Sequence, residues 1–171
     1  AMTTLFCTRA LLDGLELAPH PAAPSDNHLG AWTATLVLLR PARLVLAVSE
    51  HGRLPLVLAA EPWSSLLERL PEALYQQLLA LRVPADLARS ERDQMRPLVP
   101  ALAAGQGHLD ELRVLEPELA SAWDRGVSRS PAELALLLAN LPSSDPDGST
   151  PAQATRRRLH LVPDPGEVVG L

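Results

Sequence analysis

Five histidines, a scatter of acids, one cysteine and a short arginine run are the residues of this 171-residue chain whose types could do chemistry. His20, Asp26 and His28 lie in or beside a proline-rich stretch, residues 18–27. Two imidazoles and a carboxylate can ligate a divalent metal. No tight ligand spacing demands it here, and solvated loop residues are the plainer reading. Ser49, Glu50 and His51 string together the residue types of a hydrolytic triad. Triad members meet in space and rarely in sequence, so His51 reads as an exposed loop histidine. His108, Asp110 and Glu111 follow Gly105-Gln106-Gly107, and a glycine-rich turn entering a helix can cradle an anion on its N–H groups. The third glycine of a dinucleotide motif is missing and no βαβ unit surrounds the segment, which leaves a plain helix start.

Cys7, the single cysteine, falls in a predicted strand and reads as inert packing. It admits no internal disulfide and suits a reducing cytosol. All fifteen basic residues are arginine. Without lysine there is no Schiff base, no Walker A phosphate loop and no Ser–Lys dyad. Arg156, Arg157 and Arg158 could meet phosphates or an acidic partner, with a solvated helix face as the bland reading. The net charge of −5 argues against a body that binds nucleic acid at large. No apolar run approaches the ~20 residues of a membrane span, and no secretory signal opens the chain. Ala1 ahead of Met2 reads as a cloning remnant.

The elements that must position these groups centre on residues 29–60. There Trp32, Ala34, Leu36 and Leu38 alternate with Thr33, Thr35, Val37 and Leu39, and two further alternating runs follow at 43–49 and 54–60. Short connections through Pro41 and through Glu50-His51-Gly52-Arg53 predict an antiparallel meander. Pro55 lacks an N–H and puts the third strand at an edge. Both faces are apolar, so helices should cover at least one.

Residues 3–8 predict a first strand and residues 9–17 a short helix weakened by Gly14. Leu66, Leu67, Leu70, Leu74, Leu78 and Leu81 form an amphipathic stripe interrupted by Pro71, which predicts two helices, 62–69 and 71–82, or else one kinked helix. Residues 85–95 predict a helix with a charged outer face. Pro97 and Pro100 make Leu98-Val99 extended. Leu109, Leu112, Leu115, Leu119 and Trp123 hold helical spacing across Pro117. Ser130-Pro131-Ala132-Glu133 is a capping box before a nearly all-apolar, buried helix, and Thr150-Pro151-Ala152-Gln153 repeats it ahead of the arginines. Trp32, Trp63 and Trp123 are expected in the core; one found exposed would mark a recognition surface.

Phe6-Cys7-Thr8 followed by Leu11-Leu12, Leu29-Gly30-Ala31-Trp32 at the strand opening, and the stretch 137–142 (LLANLP) together resemble a family of uncharacterised single-domain bacterial proteins, a domain of unknown function. The resemblance covers most of residues 4–142 and implies an α+β fold with no transferable activity. The resemblance implies a pattern that members of that family often carry, Arg-Ser-Val-Leu-Gly and then Asn-Asp. The matching positions here are 103–107, Ala-Ala-Gly-Gln-Gly, and Asp110-Glu111, so the Arg-Ser of that element is absent from this chain.

The sequence therefore predicts an α+β fold: a small antiparallel meander of about four strands covered by helices, with a mostly helical C-terminal half. Residues 1–142 form one domain; residues 143–171 form a linker, a short basic helix and an apolar tail. The expected function is non-catalytic binding of a protein partner, or self-association, in the cytoplasm. The expected partner contacts are Arg156, Arg157, Arg158, Val168, Val169 and Leu171, and no cofactor is expected. The alternative is a small hydrolase or metal-dependent enzyme built on the loop histidines and acids.

Overall fold

Strand-period alternation in residues 29–60 needs a partner layer on each apolar face, and the fold supplies both. The computed structural model describes residues 2–25, 27–104, 106–142 and 148–159, with only the backbone of 106–108. The elements run β1 (Thr3–Cys7), α1 (Arg9–Leu15), β2 (Trp32–Leu39), β3 (Ala42–Ser49), β4 (Pro55–Ala59), a 3-10 turn (Trp63–Ser65), α2 (Leu66–Ala80), α3 (Ala85–Met95), β5 (Leu98–Leu102), α4 (Gln106–Asp124), α5 (Pro131–Ala139) and α6 (Pro151–Arg158).

The strands form one sheet in the order β4-β3-β2-β1-β5. The meander holds: β2, β3 and β4 are antiparallel neighbours, and Pro55 does lie on an edge strand. The sheet is larger than the sequence indicates and it is mixed, because β1 pairs in parallel with both β2 and β5. The chain between β1 and β2 is long enough for the crossover that a parallel pair requires. β5 is the proline-bracketed extended stretch. Pro100 is tolerated within it because an edge strand can spare one N–H.

Alternation divides the side chains between two cores. Leu5, Cys7, Trp32, Ala34, Val45, Ala47, Leu56 and Leu58 join Leu11, Leu12, Leu66, Leu70, Leu74, Leu78, Ala88 and Met95 on the side of α1, α2 and α3. Val37, Leu44, Leu46, Val48 and Val57 join Leu112, Leu115, Leu119, Leu134 and Leu138 on the side of α4 and α5. A proline-rich strap covers part of the second face: Thr4 donates through its hydroxyl to Ala23 O (2.8 Å), and the Ala23 N–H donates back to that hydroxyl (3.1 Å).

α2 runs unbroken through Pro71, where two helices were expected. An interior proline costs about 3 kcal/mol. Leu66, Leu70, Leu74 and Leu78 are all fully buried on one stripe that spans it, and each contributes roughly 1.5–3 kcal/mol, so continuity wins. α4 passes through Pro117 in the same way.

Ser130 caps α5 by accepting from the Glu133 N–H (3.3 Å), but the Glu133 carboxylate accepts from the Ser128 hydroxyl (2.6 Å) rather than returning to the cap. The box at Thr150 and Gln153 ahead of α6 is complete in both directions. α6 packs against the body through Pro151, Ala152 and Thr155, all buried.

Gly14 is explained by packing and not by helix weakness. A Cβ there would stand 2.7 Å from Trp63 Cζ2. Helix propensity alone predicts that Gly14→Ala stabilises by up to about 1 kcal/mol. The collision with the indole reverses the sign, for a net loss of about 1–2 kcal/mol measured by urea unfolding.

Candidate interaction cleft at the β4 edge

The sheet has two edges, β5 and β4. At the β5 edge Pro100 has no N–H to offer, and its carbonyl accepts from the His20 N–H of the strap (2.8 Å). The β4 edge is closed only at its ends. Ala60 N–H donates to Arg43 O and Ser49 N–H to Leu54 O, so residues 54, 56, 58 and 60 turn their backbone groups toward β3. Pro55, Val57 and Ala59 therefore turn theirs outward. Gln77, 4% exposed, donates its amide to Pro55 O (3.2 Å). Arg69 donates to Ala59 O (2.8 Å), Ala60 O (3.1 Å) and Pro62 O (2.9 Å), which also pins the turn leading into α2. Between these clamps the outward N–H and C=O of Val57 meet no hydrogen-bonding group among the described residues.

This gap opens into a cleft of about 500 Å³. Its floor is Leu56, Val57 and Leu58. One wall is α2, through Ala73, Gln76, Gln77 and Ala80, and the other is the start of α5, through Pro131, Ala132 and Ala135. The alanines leave room on both walls. α2 and α5 cover opposite faces of the sheet and also touch each other, so the edge lies within their layer.

The residues singled out in the sequence fall elsewhere. His28 and His51 are brought near one another, since His51 N–H donates to Leu29 O (3.0 Å) and Glu50 N–H to Ala31 O (2.8 Å). Each imidazole has its own carboxylate: His28 Nδ1 lies 2.5 Å from Glu91 Oε1, and His51 Nε2 lies 3.7 Å from Glu50 Oε1. Ser49 closes the hairpin, donating to His51 O (2.7 Å) and accepting from Leu54 N–H (2.9 Å), so it is no nucleophile for His51. His20 is exposed on the strap, Asp26 lies outside the described residues, and so does the His108 side chain. Among the described residues no three His, Cys, Asp or Glu are grouped to hold a metal ion.

Glu91 is the polar residue the sequence reading missed. It is 2% exposed, and its Oε2 has no partner among the described residues. The signal was available: Ala88, Glu91 and Met95 share one helical stripe of α3, and all three are buried.

Burial pushes the Cys7 thiol up to about 12, so it stays protonated and inert at neutral pH. Trp32 is fully buried; Trp63 and Trp123 are half-buried, the latter beneath the Arg129 guanidinium 4.2 Å from its ring. The arginines of α6 bind the chain's own groups. Arg156 donates to Leu81 O (2.8 Å) and Arg82 O (3.3 Å), Arg157 to Ser149 Oγ (2.9 Å) and Arg158 to His28 O (2.8 Å). Val168, Val169 and Leu171 lie outside the described residues. No helix among the described residues is long and apolar enough to cross a membrane.

A family model described as Domain of unknown function (DUF6933) matches residues 4–109, from β1 to the first turn of α4, and stops short of the stretch 137–142. No curated protein and no solved structure matches the chain. With the sheet and its α1, α2 and α3 layer inside the match, the chain belongs to the DUF6933 family of domains of unknown function.

Proposed function

We propose that the protein is a non-catalytic binding module that takes an extended apolar segment of a partner protein along the edge of β4. The carrying observation is Val57, whose outward N–H and C=O are left open at the floor of an apolar cleft. Strand addition supplies affinity through main-chain hydrogen bonds and specificity through pockets for the side chains. Walls on both sides favour a lone strand over a second copy of the domain, whose own helices would meet α2 and α5 before its sheet reached β4. A single buried cysteine fits residence in a reducing cytosol.

Titration of isotope-labelled protein with a panel of short β-forming peptides tests this. A binding peptide shifts the Val57 and Ala59 amide signals. Ala132→Glu places a charge on the exposed lip of the cleft, so it weakens binding about tenfold or more while changing stability by less than about 0.5 kcal/mol. A panel that leaves Val57 unmoved rejects the reading.

The hydrolase reading has one observation in its favour. His28 is half-exposed and held by a buried carboxylate, the arrangement of a general base and its orienting acid. No described hydroxyl or thiol bonds to that imidazole, so binding remains the better-supported function.

A further inference from the structure

α2 meets the outward side of β4 at a regular step. Arg69 donates to Ala59 O (2.8 Å) and Gln77 to Pro55 O (3.2 Å), so the helix runs antiparallel to the strand. Between them stands Ala73, which also lines the cleft. The three are four residues apart and share one helix face. Four helical residues rise about 6 Å and two strand residues about 6.6 Å, so Ala73 falls level with Val57. Its methyl group has no donor, and the Val57 carbonyl stays open while the outward carbonyls before and after it are held.

The pleat fixes where an added strand would point its side chains. Val57 belongs to the core on the α5 side, and Leu56 and Leu58 belong to the core on the α2 side. A residue paired with Val57 shares its face and points to α5. The next residue toward the Ala59 end points to α2, in the space over Ala73 and short of Arg69. This holds for either strand direction, because the alternation has the same period both ways.

Electrostatics select what that residue is. Arg69 commits four of its five N–H groups: Nε to Ser65 Oγ (3.0 Å), Nη1 to Ala59 O, and Nη2 to Ala60 O and Pro62 O. One Nη1 hydrogen remains, and no carboxylate is among its partners in the described residues. The other charged residue lining the cleft, Glu72, is shared by Arg92 Nη1 (3.4 Å) and Arg96 Nη2 (3.1 Å). Arg92 also meets Asp93 (3.1 Å). Three arginines thus face two carboxylates, which leaves this end of an otherwise apolar cleft with an excess positive charge. A carboxylate arriving there gains a charge-assisted hydrogen bond.

We propose that the partner segment carries an aspartate or glutamate side chain beside the residue paired with Val57, on the Ala59 side, and that Arg69 binds this carboxylate. This rests on the β4 cleft being a strand-binding site, and it names the chemistry by which that site selects its partner.

Two capped peptides, acetyl-Thr-Val-Glu-Val-Thr-amide and the same peptide with Gln for Glu, test it on the isotope-labelled full chain. The Glu peptide should bind about tenfold more tightly, followed at the Val57 amide, and 0.5 M salt should shrink the preference. The Arg69 Nε–H signal should move with the Glu peptide and not with the Gln peptide. Arg69→Met should equalise the two affinities; a Glu preference that persists in that variant overturns the assignment to Arg69. The native-chain comparison and the Arg69 signal decide the matter if that variant does not fold. Equal affinities on the native chain overturn the inference and leave the strand-binding reading standing. If neither peptide moves Val57 and no other β-forming peptide does, both fall. A Gln peptide with an uncapped C-terminus that matches the Glu peptide assigns the site to a chain terminus and overturns the side-chain assignment.

Discussion

Trp32→Ala is expected to remove about 3–5 kcal/mol of folding stability, the loss typical of truncating a fully buried large aromatic. Trp32 opens β2, the central strand. It stands opposite Leu5 of β1 and Ser49 of β3, and it is 0% exposed. Its indole Nε1 has no hydrogen-bond partner among the described residues, so packing alone supplies its contribution. A second substitution separates the two effects. Trp32→Phe keeps most of the ring, discards the unpartnered N–H and should cost less than about 1.5 kcal/mol. Urea unfolding measures both, and the midpoint should move without a change in slope. Equal losses for the two variants would show that the indole N–H is satisfied after all.

The pair His28–Glu91 should respond asymmetrically. His28→Ala leaves a carboxylate that is 2% exposed with only a 3.4 Å contact from a backbone N–H. Breaking a buried pair from one side costs about 3–5 kcal/mol, and the 52% exposure of His28 lowers the expected loss to about 2–3 kcal/mol. Glu91→Leu removes the buried polar group itself and leaves a half-exposed imidazole that water can serve. It should cost less than about 1 kcal/mol, and His28→Ala/Glu91→Leu should recover most of the single-variant loss. Thermal or urea unfolding of the three variants decides. A double variant as unstable as His28→Ala would show that the histidine acts through packing, not by compensating Glu91.

The same principle orders the hydrogen bonds that close the β4 edge. Gln77 and Arg69 each spend a side chain on an outward carbonyl, which protects an edge that would otherwise template association. Between these two clamps the outward N–H and C=O of Val57 meet no hydrogen-bonding group among the described residues.

Local chemistry was legible where local chemistry decides. The alternation of residues 29–60 specified β2, β3 and β4, because a period of two can bury only strand faces. Ser130 and Thr150 marked two helix starts, because a side-chain oxygen at the cap satisfies an otherwise orphaned N–H. Pro55 marked the edge for want of a donor. The absence of lysine removed several catalytic mechanisms outright. Other features were decided by pairs of residues far apart in sequence. Nothing near Thr3–Cys7 says that this strand lies in parallel between β2 and β5; that follows from where the crossover helix packs. Pro71 and Pro117 look like helix ends until the leucines on both sides are seen to share one sheet face. Gly14 is a poor helix residue until Trp63 arrives across it. That the arginines of α6 reach the carbonyls of Leu81, Arg82 and His28 likewise follows only from the tertiary arrangement. The cleft at Val57 lay beyond the sequence for the same reason. Its unpaired groups are backbone N–H and C=O, identical in every residue but proline, and only the tertiary arrangement determines which of them remain unpaired.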